Sequence, residues 1–153
     1  MRILVTGGAG YIGGTVAGLL AQTGHKAIVF DNLSHGRRDL LPAGVEFVEG
    51  ELADRSAIEN LFTRATKNGQ PFDGVLHFAA LIEAGESMIR PETFFRNNTA
   101  STLSLLEAML ACGPLRLVFS STAAVYGEPE SVPIREDARL KPTNAYGESK
   151  LMV

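Results

Sequence analysis

Tyr146 and Lys150 stand four residues apart in this 153-residue chain, downstream of the segment Ser121-Thr122-Ala123-Ala124-Val125-Tyr126-Gly127. On a helix, residues at i and i+4 share one face. An ammonium beside a phenol favours the ionised phenol, which makes Tyr146 a usable general base toward an alcohol or sugar hydroxyl. The Thr122 hydroxyl, just past a strand, can share hydrogen bonding to the same proton. A tyrosine and a lysine at this spacing also describe an ordinary exposed helix face, so their meaning depends on what accompanies them.

What accompanies them is Thr6-Gly7-Gly8-Ala9-Gly10-Tyr11-Ile12-Gly13, which follows an apolar strand run and opens a helical pattern. Gly7 permits a tight turn, Gly10 lets backbone approach a pyrophosphate, and Gly13 lets helix and strand pack closely. The helix N-terminus then offers N–H groups and partial positive charge to phosphates. Asp31 ends the next strand run, 18 residues beyond Gly13. A carboxylate there accepts hydrogen bonds from an adenosine ribose diol and repels a 2′-phosphate, which favours NAD over NADP. Arg37 and Arg38 keep the NADP reading open, because a guanidinium pairs with such a phosphate.

The elements that must position these groups alternate along the chain. Strand runs are Ile3 to Val5, Ala27 to Phe30, Val45 to Val48, Val75 to Phe78 and Leu115 to Phe119. They read as continuous apolar stretches, as parallel strands covered on both faces do. One helical stripe comprises Ile12, Val16, Leu19 and Leu20. A second comprises Ala57, Ile58, Leu61 and Phe62, opened by Asp54 as N-cap. A third helix runs from about Pro91 to Cys112, with Leu103, Leu106, Met109 and Leu110 inward, and Gly113-Pro114 ends it. Tyr126 to Asn144 reads as a long ordered loop, and a last helix starts near Asn144. This rhythm predicts an α/β fold: one Rossmann-like domain over 1–153 with a doubly wound parallel sheet.

Composition narrows the function classes. A net charge of -3 and basic residues scattered in short pairs argue against a nucleic-acid surface. No run approaches the ~20 apolar residues of a membrane span, and Met1 to Gly7 is too short and too weakly charged for a signal peptide. A cytoplasmic protein is the expectation. The single cysteine, Cys112, rules out an internal disulfide and reads as a buried, inert thiol. His77 reads as a packed core histidine, His25 and His35 as turn residues, and no metal site is expected.

Taken together, Thr6 to Gly13, Asp31-Asn32-Leu33, His77-Phe78-Ala79-Ala80, Gly85-Glu86-Ser87, Asn97-Asn98, Ser120 to Gly127 and Tyr146 to Val153 carry a resemblance. The chain resembles the N-terminal part of the extended short-chain dehydrogenase/reductase family, most closely its UDP-glucose 4-epimerase branch. The resemblance implies NAD as cofactor, a UDP-sugar as substrate and a homodimer through the Pro91 to Cys112 and Tyr146 helices. It implies that Tyr146 is the base, that Lys150 binds the nicotinamide ribose and tunes Tyr146, and that Thr122 completes the catalytic set. Gly7, Gly10, Tyr11, Ile12 and Gly13 would hold the pyrophosphate, and Asp31 and Asn32 the adenosine ribose. Glu51 and Leu52 would lie at the adenine, Phe78, Ala79 and Ala80 along the cofactor channel, and Asn98 on the nicotinamide side. Ser87 and Tyr126, with Thr122 and Tyr146, would face the substrate.

Ala123-Ala124 separates the chain from dehydratase relatives, which carry acidic groups directly after the threonine, and alanine methyl groups move no protons. Departures from the family pattern are Glu51 for a usual Asp, Ile82 where some epimerases carry Lys, and Ser101 for a usual Gly. Family members run to about twice this length. The expectation is therefore a fragment that lacks the last strands and the sugar-gripping lobe and is inactive alone. Other readings remain another nucleotide-sugar 4-epimerase, an NAD(P)-dependent sugar reductase, or a non-catalytic NAD-binding fragment.

Overall fold

The computed structural model describes residues 1–112 and 116–153. These form two compact units, 1–79 with 103–120, and 80–102 with 121–153.

The first unit is built on five strands, β1 (Arg2–Thr6), β2 (Lys26–Asp31), β3 (Glu46–Glu49), β4 (Gly74–His77) and β5 (Arg116–Phe119). All neighbouring pairs are parallel, in the order β3-β2-β1-β4-β5. The order reverses between β1 and β4, which is where open α/β sheets form their ligand crevice. All five strand expectations hold to within a residue or two, although Leu115 lies outside the described residues. β5 is an edge strand with Val118 60% exposed, so its apolar run is not covered on both faces.

Helices α1 (Tyr11–Gln22) and α2 (Arg55–Lys67) flank the sheet. On α2 the Asp54 carboxylate accepts the Ala57 N–H at 3.0 Å, the expected N-cap. Ile58 and Phe62 are buried among Leu4, Ile28, Phe30 and Val75, contributing about 2–3 kcal/mol each. Phe62 meets Phe72 edge-on at 5.5 Å.

The α1 stripe is a correction. Ile12 and Leu19 are exposed, and Gly13, Ala17 and Gly18 form the buried face. Small residues win there because the helix lies too close to the glycine turn for branched side chains. A Cβ on Gly13 would run into the Gly7 carbonyl.

The expected third helix is also corrected. It divides into α4 (Pro91–Phe94), a π-helical turn Phe95–Ala100 and α5 (Ser101–Cys112), and a further short helix, α3 (Ala84–Ile89), precedes it. Pro91 does occupy the first turn of α4, but α3 was not foreseen. On α5, Leu105, Ala108 and Met109 join the core, whereas Leu103 and Leu110 are exposed. At about 100° per residue the inward face of α5 centres on Leu105, Ala108 and Met109 with Leu106 at its edge, and Leu103 and Leu110, seven residues apart, share the opposite face. Cys112 is half-buried, its thiol 3.9 Å from the Glu59 carbonyl, where a buried thiol was expected. The expected stop at Gly113-Pro114 lies outside the described residues.

In the second unit, a 3-10 turn (Ala123–Tyr126) is followed by an irregular stretch, 127–144, and then by α6 (Ala145–Leu151). Asn144 caps α6 by accepting the Gly147 N–H at 2.8 Å.

Candidate functional site

In the first unit the glycine turn is fixed at the mouth of the crevice. Gly7 has φ +70°, and its N–H donates to the Phe30 carbonyl at 3.0 Å. A side chain on Gly7 would collide with the backbone of Ala79, so two strand ends approach as only glycine allows. Gly10 is the N-cap of α1 and brings no side-chain cap. The first N–H groups of α1 therefore face outward as donors.

Asp31, nearly buried, stitches the tip of β2 to this turn. One carboxylate oxygen accepts the Ala9 N–H at 3.0 Å and the other the Leu33 N–H at 2.8 Å. Each oxygen keeps a further lone pair for a diol. Asn32 donates to Glu51 at 2.7 Å. Leu52 belongs to the apolar core with Phe30 and Ile58. The two arginines beyond are engaged. Arg37 pairs with Asp39 at 2.6 Å, holding that carboxyl below its usual range, and the Arg38 guanidinium lies 4.9 Å from the Phe47 ring centre. Phe78 donates its N–H to the Thr6 carbonyl at 3.0 Å, and Phe78, Ala79 and Ala80 are half-buried. His77 is the core histidine expected: buried, 2.6 Å from the Thr6 hydroxyl and stacked on Phe119.

In the second unit, α6 carries both Tyr146 and Lys150. Tyr146 is half-buried, whereas Lys150 is 4% exposed. Burial pushes the Lys150 ammonium down from 10.5 to about 8, so it remains mostly charged at neutral pH. Thr122 is the N-cap of the 3-10 turn, its oxygen accepting the Ala124 N–H at 3.2 Å while its own O–H remains a donor. A Cβ on Gly147 would come within 2.7 Å of the Ala124 carbonyl, so a glycine next to Tyr146 is what lets the Thr122 turn approach α6. Tyr126, half-buried, closes that turn.

Two residues assigned to ligand contact are engaged with protein groups. Ser87 is fully buried, its hydroxyl donating to the Ala84 carbonyl at 2.6 Å. Asn98, also buried, fills all four positions of its amide. It accepts from Leu81 N–H and Asn97 Nδ2 at 2.8 and 2.9 Å, and donates to the Leu81 carbonyl and Ser149 Oγ, both at 3.0 Å. Ser149, Thr99 and Leu81 were missed by sequence reasoning, which has no local spacing to reveal contacts across 17 to 51 residues. Among the described residues no three His, Cys, Asp or Glu side chains gather as metal ligands, and no helix is long and apolar enough to cross a membrane.

The sheet order, glycine turn and acidic strand tip define a Rossmann-like dinucleotide-type domain. The chain belongs to the NAD dependent epimerase/dehydratase family, which matches residues 3–153. It is 51% identical over 152 residues to the UDP-glucose 4-epimerase of Streptomyces lividans, covering 99% of this chain and 45% of that protein. It is 50% identical over 151 residues to that of Azospirillum brasilense, covering 99% and 42%. The crystal structure of UDP-glucose 4-epimerase from Brucella ovis in complex with NAD superposes with a TM-score of 0.92 at 38% identity, covering 99% and 45%. The chain thus spans less than half the length of the curated relatives it matches.

Proposed function

We propose that this chain supplies the NAD site and the proton-handling residues of a UDP-glucose 4-epimerase, which interconverts UDP-glucose and UDP-galactose. The observation that carries the reading is the α6 pair, a half-buried Tyr146 one turn from a buried Lys150. The names of the relatives support the substrate, and the family description supports the cofactor.

The residues present fit a dinucleotide. The close approach of Gly7 to Ala79 and the uncapped start of α1 suit a pyrophosphate, which Gly7, Gly10, Tyr11, Ile12 and Gly13 would hold. Asp31 and Asn32 would take the adenosine ribose, with Glu51 beside them and Leu52 supporting that edge from the core. Phe78, Ala79 and Ala80 would line the continuation of the site. Engagement of Arg37 by Asp39 and of Arg38 by Phe47 supports NAD over NADP. When bound, NAD supplies a hydride acceptor and donor for the sugar C4 position.

The chain's own residues move the proton. Tyr146 takes the proton of the sugar 4-hydroxyl and returns it once the sugar has presented its other face. Lys150, charged at neutral pH, stabilises the phenolate and holds the nicotinamide ribose. The Thr122 O–H donates to the sugar oxygen, and Tyr126 borders the substrate. Ser87 and Asn98 act through the backbone they hold. Ala123 and Ala124 offer no acid or base for elimination, which supports epimerisation over dehydration.

The test is conversion of UDP-galactose to UDP-glucose by the full-length gene product with bound NAD, without added cofactor. Conversion that also requires stoichiometric NADPH, or no conversion despite bound NAD, would overturn the reading.

A further inference from the structure

Helix α6 (Ala145–Leu151) carries Tyr146 and Lys150 one turn apart. The groups that hold its turns are hydroxyls of its own unit. Ser149, one residue before Lys150, is fully buried. Its Oγ donates to the Tyr146 carbonyl at 2.8 Å and accepts from Asn98 Nδ2 at 3.0 Å. Its carbonyl accepts from the Thr99 hydroxyl at 3.0 Å. Asn98 and Thr99 are neighbours on the π-helical turn Phe95–Ala100, and isolated π turns recur at functional sites.

We propose that Thr99 and Ser149 are positioning residues of the candidate centre, clamping the α6 turn so that Tyr146 and Lys150 keep one separation. This rests on the reading that Tyr146 and Lys150 handle the proton. Ser149 bonds the carbonyl of Tyr146 within the turn and is itself held by Asn98, and Thr99 bonds the carbonyl that precedes Lys150 from the π turn. The clamp grips backbone, so it fixes both side chains at their roots without touching the reacting atoms. Releasing it lets the turn shift, and misplacement by about 1 Å can cost about 100-fold in rate. Thr99 is the adjustable member, being half-buried where Ser149 is sealed.

Thr99→Val keeps the shape and removes the donor, and Thr99→Ser restores the donor. The first readout needs no turnover. Lys26, Lys67 and Lys141 are exposed and Lys150 is buried, so limiting acetic anhydride followed by mass spectrometry reports Lys150 against three internal references. Thr99→Val is expected to raise the relative labelling of Lys150 several-fold, with Thr99→Ser at the wild-type ratio. In steady state with the full-length gene product, Thr99→Val is expected to lower kcat about ten-fold, with KM and bound NAD unchanged. An unchanged labelling ratio in Thr99→Val overturns the clamp, as does a rise in both variants together with a lowered melting temperature. If Thr99→Val loses its melting transition, Thr99→Ala, which removes the donor without filling the site, is read by the same criteria. Altered labelling in a full-length gene product whose wild type does not epimerise would keep the clamp and reject the reaction it serves.

Discussion

The Thr6 hydroxyl lies 2.6 Å from Nδ1 of His77, with both side chains buried, and so joins the carboxyl ends of β1 and β4. The two residues are also register partners in the sheet, at the point where strand order reverses. The glycine turn and the Phe78-Ala79 segment leave from these two residues, so the bond ties together the points where both segments start. Thr6→Val withdraws a buried hydrogen-bond partner and is expected to cost about 1–3 kcal/mol in urea unfolding. A wild-type midpoint would show that the pair adds nothing to the strand ends.

Gly7 and Gly24 both have positive φ, +70° and +80°, but Gly24 faces open space whereas Gly7 faces the Ala79 backbone. Gly24→Ala is expected to cost about 1 kcal/mol for backbone strain alone. Gly7→Ala adds a collision with main chain and is expected to cost at least about 3 kcal/mol and to abolish NAD binding. Thermal melts with and without NAD compare the two, and equal losses would contradict the crowding at Gly7.

Lys150 gives a pH dependence whose sign is fixed by burial. Its folded value, about 8, lies below the ordinary 10.5, so between those values the unfolded chain binds more protons than the folded one. Stability from this group therefore rises as pH increases from 8 to 10.5, by on the order of 3 kcal/mol at most. Lys150→Met is expected to flatten that rise in denaturant midpoints taken across the window. A rise of the same size in Lys150→Met would assign it to other groups.

Tyr146→Phe keeps the ring and removes the proposed base. Epimerisation by the full-length gene product is expected to fall by about 100-fold to 10,000-fold while bound NAD is retained. Activity within a few fold of wild type would move the proton transfer to another residue.

Asp31→Asn keeps one acceptor oxygen for the turn and removes the charge. NAD is expected to bind about ten-fold more weakly, because a charged acceptor is replaced by a neutral one. Discrimination against NADP should narrow as the repulsion goes. Isothermal titration with both cofactors measures the ratio, and a ratio equal to wild type would remove Asp31 from cofactor selection.

Much of the site is legible from local chemistry. The glycine turn, the Asp54 and Asn144 regions, Pro91 at a helix start and the i, i+4 pair of Tyr146 and Lys150 depend on neighbours within a few residues. The strands are legible because parallel strands need unbroken apolar runs. Helix facing is less so. Ile12, Leu19, Leu103 and Leu110 fit a stripe in the sequence, yet they are exposed, because close packing at Gly13 sets the inward side of α1 and Leu105, Ala108 and Met109 take the inward side of α5.

By itself, then, the sequence determined the parallel α/β class and the glycine turn, and it offered Thr122, Tyr146 and Lys150 as the proposed proton-handling set, since each follows from residue type at short spacing. Tertiary structure alone decided that Lys150 is buried, that Asn98 spends its whole amide on Leu81, Asn97 and Ser149, and that Thr99 grips α6. Those are contacts between segments up to about 50 residues apart. Hydrogen bonds of that kind form only where packing brings donor and acceptor together and excludes water, and no short-range pattern encodes that meeting.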